Sequence, residues 1–215
     1  MSILQETIPT PTLEVTWCTF KQAEYACKNW HYSRSVPIGK MVKIGAFEDG
    51  HFVGCVLFSY GTGRNLAQQY GLKQTELCEL TRIALTKHAA PVTQIMARAI
   101  KMLKILCPKM RLIVSYADTE QSHVGTIYQA NNWIYTGAVK STDSLLVNGK
   151  IKHSRSVSMM YGTSAVEKLK AIGLDVGKVK KGCKHKYLMP LDKNMQKQVS
   201  VLNKPYPKHI LTPDS

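Results

Sequence analysis

The sequence predicts an α/β domain whose central sheet is mixed, mostly antiparallel and flanked by helices. Three observations predict it. In "MVKIGAFEDGHFVGCVLFSY" two apolar, β-branched runs flank Glu48-Asp49-Gly50, and Asp-Gly between such runs signals a hairpin. "LCELTRIAL", "PVTQIMARAIKMLKIL" and "RLIVSYAD" then alternate between strand and helix patterning. The hydrophobic content of 44% is enough for a packed core, with no run near the roughly 18 apolar residues of a membrane span.

Each element has its own warrant. Residues 1–13 are polar and Pro-containing and read as an arm; no signal peptide is expected there. Phe20, Ala23, Cys27 and Trp30 recur at helical spacing from Thr19. After the hairpin and the loop "GTGRNLAQQYG", Leu77 to Leu85 reads as a buried strand. Pro91 opens a helix whose stripe is Val92, Ile95, Met96, Ala99, Leu103 and Leu106. "RLIVSYAD" is apolar enough for a central strand, and "SHVGTIYQANNW" reads as a short helix. "WIYTGAV" and "SVSMMYG" read as strands, with a turn between them at Asn148-Gly149. Ser164-Ala-Val-Glu167 reads as a capping box for a helix that stops at Gly173. Residues 14–175 form the predicted main domain. Residues 176–215 are a basic extension packed on it or continuous with it, extended or disordered beyond Lys193.

Charge points to a partner. The formal net charge is +15, and residues 140–215 hold 15 Lys and Arg against five acidic residues. From Lys178 to Lys186 five of nine residues are Lys. Such a field favours a polyanion, nucleic acid first among them. The six cysteines form no C-x-x-C pair and mostly sit in apolar runs, which fits buried reduced thiols in a reducing cytosol.

Several polar groups fall where a sheet places ligands. Ser115, Tyr116 and Asp118 end a buried strand, and ligands of open α/β sheets sit at carboxyl strand ends. Asp118 is read equally as a cap on the following turn and as a site acid. Strand alternation sends Glu79 and Thr81 to one face and Leu80 and Arg82 to the other. Arg82 serves either a structural carboxylate bridge or a phosphate. In "WHYSRSVPIGK", His31 and Tyr32 are either helix-end packing groups or, with an acid, an N/O metal site.

A strand–helix–strand–helix–strand core behind a hairpin resembles the GNAT acyltransferase superfamily. GNAT enzymes often use a Tyr near the position of Tyr128 to protonate a leaving thiolate; the other reading packs its ring under the sheet. Their pyrophosphate loop, Gln/Arg-x-x-Gly-x-Gly/Ala, corresponds here to the Gly-free "LTKHAAPVTQ". Small Ala89 and Ala90 would still permit close approach, and Lys87 could meet a phosphate of an acyl-CoA.

"WHYSRSVPIGKMVKIGAFEDG", "YGLKQTELCELTRIALTKH", "RLIVSYAD" and "IYQANNWIYTG" together resemble the Mom family of phage DNA-modification proteins. The resemblance implies a GNAT-type enzyme in the cytoplasm of the bacterial host. It would convert adenine in DNA to N6-carbamoylmethyl-adenine and shield phage DNA from restriction. It puts His31, Tyr32 and Ser33 on the family's "HYS" motif, and Arg82, Ser115, Asp118 and Tyr128 on further site positions. It also implies an iron ion on His31, Tyr32 and Asp118, and double-stranded DNA as partner to a monomer or homodimer. Arg34, Lys178, Lys180, Lys181, Lys184 and Lys186 would hold its phosphates. The donor is an acyl-CoA or another glycine-derived molecule. Trp30, Tyr32, Tyr60 and Tyr70 are candidate walls for a flipped base. The competing expectations are a conventional GNAT N-acyltransferase for a protein or small amine, and a basic nucleic-acid-binding protein without catalysis.

Overall fold

The computed structural model describes residues 11–37, 39–60, 65–141, 144–180 and 182–208. They form two compact units. The first holds the described residues up to Tyr116, Gly125–Thr136 and Tyr187–Tyr206. The second holds Ala117–Val124, Gly137–Lys186 and the described residues from Pro207.

The chain opens with strand β1 (Leu13–Trp17), helix α1 (Phe20–Trp30) and the hairpin β2 (Met41–Glu48) and β3 (His51–Ser59). Strand β4 (Leu77–Leu85), helix α2 (Val92–Leu106) and strand β5 (Leu112–Asp118) follow. Next come α3 (Thr126–Gln129), β6 (Ile134–Lys140), β7 (Ser144–Val147) and β8 (Lys150–His153). The last elements are α4 (Ser154–Tyr161), α5 (Val166–Ala171), β9 (Val176–Val179), β10 (Cys183–Pro190) and α6 (Lys193–Ser200).

Seven strands form one sheet in the order β1-β2-β3-β4-β5-β10-β6. β1 to β4 pair antiparallel in sequence, and β4 pairs β5 in parallel. The β2–β3 turn is the expected Asp49-Gly50, both at positive φ (47° and 80°), the geometry that favours Asp-Gly there. Helix α1 starts on a capping box between Thr19 and Gln22. It buries Ala23, Ala26 and Cys27, at helical spacing, in a cluster with Cys18, Cys55, Leu57 and Ala84. A second cluster joins Leu77, Leu112, Val114, Ile134 and Leu188 to Met195 and Val199 of α6. Leu57 and Leu112 are fully buried, so trimming either to Ala costs roughly 2–5 kcal/mol.

Two irregularities of β4 shape the site. Its register with β3 passes from Leu57↔Arg82 to Phe58↔Leu80, so Thr81 is an extra, bulged residue. Thr81 Oγ1 donates to the Leu57 carbonyl at 3.1 Å. Strict alternation of faces along this strand therefore stops at Thr81. The parallel ladder with β5 ends one residue earlier, at Leu80↔Ser115.

The second unit has a three-stranded sheet, β8-β7-β9, with β7 antiparallel to both neighbours. The Asn148-Gly149 turn links β7 and β8 at positive φ. Leu145, Val147 and Val176 pack against Val157 of α4 and Leu169 of α5.

Four segments differ from the sequence reading. "SVSMMYG" forms most of helix α4, not a strand, because Val157 and Tyr161, one turn apart, both pack into that cluster. Helix α5 starts on Ala165 without a side-chain cap, so Ser164 makes no capping box. Strand β1 takes in Leu13, the last residue of the arm, whose residues 1–10 lie outside the described residues. The region after Lys193 opens with α6, whose cap Asp192 accepts from Met195 N at 2.8 Å and pairs with Arg111 at 2.8 Å. No described helix is long and apolar enough to cross a membrane.

Candidate active site

The "HYS" segment leaves the end of α1 as a folded knot. His31, 9% exposed, terminates the helix. Its Nδ1 accepts the Ser33 N–H at 3.1 Å and lies 2.8 Å from Ser33 Oγ. The Tyr32 ring stacks on the imidazole with centroids 4.3 Å apart, yet Tyr32 is half exposed. Arg34, at φ 49°, turns back to donate to the carbonyls of Lys28 (3.0 Å) and Asn29 (2.6 Å), the exposed end of α1. The Arg82 guanidinium donates to Ser35 O at 3.3 Å and to the bulged Thr81 carbonyl at 2.7 Å. Arg82 thereby ties this knot to the irregular point of β4.

Ser115 lies on the last rung of the β4–β5 ladder and is fully buried. Its Oγ is 2.9 Å from the Leu80 carbonyl and 2.8 Å from the Tyr128 hydroxyl. A serine carries one proton and a carbonyl can only accept, which fixes the direction. Ser115 donates to Leu80, and Tyr128 donates to Ser115. Burial pushes the Tyr128 phenol up to about 12, and the nearby Tyr32 and Glu79 add to the rise while the Ser115 bond opposes it. Tyr128 therefore holds its proton at neutral pH. Its ring packs between Trp133 and Tyr187, with centroids 5.0 and 5.1 Å away. The ring is packed, and its hydroxyl meets Ser115 at the end of the β4–β5 ladder.

Gly125 makes that packing possible. It has φ +77°, and a Cβ there would strike the Tyr187 ring. Gln129 Nε2 donates to the Tyr187 hydroxyl at 3.2 Å. Neither Tyr187 nor Gly125 was singled out by sequence, since Tyr187 lies in the basic stretch that reads as a surface.

The β4–α2 loop behaves differently. Ala89 N donates to both carboxylate oxygens of Glu48 (3.0 and 2.9 Å), and Ala90 N donates to one of them at 2.7 Å. These bonds hold Glu48 below the ordinary carboxylate range, against the opposing pull of burial. His88 Nδ1 is 2.7 Å from the Ala90 carbonyl, and Lys87 is exposed. The pyrophosphate of an acyl-CoA needs such amide donors, and Ala89 and Ala90 already spend theirs on Glu48. As arranged, this loop does not fit that group. No sequence signal flags Glu48, because its partners lie 41 and 42 residues away.

In the second unit, Asp118 Oδ1 accepts Glu120 N at 3.1 Å, capping a short 3-10 turn, and its other oxygen lies 3.8 Å from Lys184 Nζ. Lys178 and Lys180 are exposed; Lys184 and Lys186 are half-buried, and burial lowers the Lys186 pKa. Lys181 lies outside the described residues. Among the described residues no group of three or more His, Cys, Asp or Glu is placed to hold a metal. The Nδ1 of His31 is engaged by Ser33, whose backbone N–H and hydroxyl both face it. A cavity of about 230 Å³ between β2, β3 and α2, lined by Met41, Phe58, Tyr60, Cys78 and Cys107 among others, holds none of the expected catalytic residues.

Known structures give the class. The fold matches an aminoglycoside acetyltransferase, AAC(6')-Ib in complex with coenzyme A and kanamycin, over 88% of this chain and 99% of that one, with TM-score 0.50 and 8% identity. An acetyltransferase of the GNAT family from Streptococcus pneumoniae matches over 84% of this chain and 100% of its own, with TM-score 0.47 and 10% identity. The protein has a GNAT-type acetyltransferase fold. Residues 12–208 match the Mom protein family, and the chain belongs to that family. It is 26% identical to methylcarbamoylase mom of Escherichia phage Mu over 116 residues, 52% of this chain and 48% of that protein. The match thus spans about half the length of that relative.

Proposed function

We propose that the protein is a phage DNA-modification enzyme that converts adenine in DNA to N6-carbamoylmethyl-adenine in the cytoplasm of the host bacterium and so protects the DNA from restriction. The observation that carries this reading is the buried Tyr128–Ser115 hydroxyl pair at the end of the β4–β5 ladder, in a chain of the Mom family. A protonated phenol on a strand end is suited to deliver a proton to a departing group. Arg82 and the His31–Ser33 knot supply the cationic and polar surroundings in the same unit.

The product restricts the chemistry. Its new bond joins N6 to a CH2 carbon, whereas attack on a thioester carbonyl would leave an amide. The bond that breaks therefore joins that CH2 to a leaving group, which departs with the electron pair and takes the Tyr128 proton. The proton released from N6 returns to Tyr128, so the balance is one N–H and one C–X exchanged for N–C and H–X. The donor is thus a carbamoylmethyl compound that carries a leaving group on its CH2. The exposed Lys178 and Lys180 would hold duplex phosphates, making binding salt-dependent. No step is drawn through iron; the iron content of wild type against Asp118→Ala tests that expectation, and equal iron removes Asp118 as a ligand.

The test is direct. Express the full chain in bacteria, digest the DNA to nucleosides and look by mass spectrometry for carbamoylmethyl-adenine. Its absence with soluble, folded protein in a host that supplies the donor rejects the proposal. Conventional acyl transfer to a protein or small amine instead predicts unaltered nucleosides and an acylated amine product.

A further inference from the structure

We infer that Glu48 is a built-in substitute for a donor phosphate, so that the β4–α2 loop excludes pyrophosphate-bearing donors such as acyl-CoA. The inference deepens the proposed function by narrowing its donor, and it rests on the GNAT-type fold of the chain. In that fold the amides between β4 and the long helix are the expected anchor for the pyrophosphate, and here the chain supplies its own anion to them. Consecutive N–H groups of Ala89 and Ala90 converge on one carboxylate oxygen of Glu48, and Ala89 also reaches the second. Pro91, the next residue, has no N–H to add.

Four features make Glu48 a fixture. It is the last residue of β2, held in register opposite His51 by the hairpin and opposite Leu13 by β1. It is 9% exposed. The charge stands before the first turn of a 15-residue helix, where the macrodipole favours an anion. Its backbone donors stabilise the ionised form, so the carboxylate is charged at neutral pH. A pyrophosphate arriving here would meet a like charge and would have to displace the carboxylate from both amides. The Cβ of Ala89 and Ala90, where the GNAT loop usually has glycine, further limits how closely a phosphate can approach the backbone. The donor therefore has no nucleotide diphosphate handle on this loop.

The experiment is amide NMR on the full-length wild type, Glu48→Ala and Glu48→Gln, titrated with coenzyme A and with inorganic pyrophosphate. The wild-type Ala89 and Ala90 resonances should stay unmoved by either ligand, including when coenzyme A binds elsewhere on the basic surface. Removing the carboxylate should let pyrophosphate shift both amides saturably, where the wild-type signals do not move. If Glu48→Ala fails to fold, Glu48→Gln serves, since it keeps an oxygen for the amides and drops the charge; a smaller gain at the same signals is expected. Saturable shifts of Ala89 and Ala90 by coenzyme A in the wild type would overturn the inference. So would a folded variant whose amides ignore pyrophosphate. The readout needs no turnover, so absence of the modified nucleoside would reject the function while leaving this result to stand or fall alone.

Discussion

The middle of β4 and the loop that follows it use polar groups in opposite ways. At Leu80 the ladder to β5 ends, a bulge follows, and the backbone carbonyl is met by Ser115, itself met by Tyr128. That chain of hydroxyls ends on a phenol that keeps its proton. Nine residues on, the Ala89 and Ala90 amides are tied to an internal carboxylate. The first arrangement links two hydroxyls, each able both to donate and to accept, at a strand end. The second uses its donors up within the chain. Within one GNAT-type fold, the hydroxyl proposed for proton transfer is buried beside a strand end, while the amides before α2 are held by Glu48. The comparison thus separates the chemistry of the fold from the donor that commonly accompanies it.

The comparison breaks most severely at Gly125→Ala. The positive φ and the collision with Tyr187 should cost about 4 kcal/mol or more in urea unfolding, with loss of Tyr128 packing. Next is Ser115→Ala, which strands the buried Leu80 carbonyl and the Tyr128 hydroxyl. It should cost roughly 3 kcal/mol by the same assay. Glu48→Ala, which orphans two amides, should cost about 2 kcal/mol, and Glu48→Gln less.

Acid sharpens the Glu48 arm. Its folded pKa lies below the ordinary 4.5, so its stabilisation is complete above that value and is lost as pH falls through the folded value. The stability advantage of wild type over Glu48→Gln should therefore be flat near neutral pH and shrink in acid. Asp192, also depressed, by its bond to Arg111, titrates in both proteins and cancels from the difference. The smallest effect concerns the second unit. Lys178→Ala should lower the salt-dependence slope of DNA binding by about 0.9 with the fold unchanged.

What the sequence made legible was local. The Leu77–Leu85 strand and the 92–106 helix match their patterns because each buries a face set by its own residues. Helix α4 was misread because the apolar residues of "SVSMMY" satisfy an alternating pattern as well as a helical one, and only packing against Leu145 and Leu169 decides between them. Helix α6 was missed because its single apolar pair, Met195 and Val199, is diluted by Lys and Gln. Of the candidate residues, Ser115 was singled out by its strand end and Tyr128 by its place in the GNAT element order, and the structure sets their hydroxyls 2.8 Å apart. Glu48 was not, because its role depends on a hairpin end meeting a loop some forty residues away. Arg34 read as a phosphate contact, yet its visible bonds go to the end of α1, a partnership no charge count can reveal.

The most direct test of the account is nucleoside mass spectrometry on DNA from cells expressing wild type or Tyr128→Phe at matched levels of folded protein. Removing the phenolic proton keeps the packed ring and leaves Ser115 its bond to Leu80. The account predicts a carbamoylmethyl-adenine peak from wild type and about a hundredfold less from the variant. Equal peaks from the two proteins would contradict it.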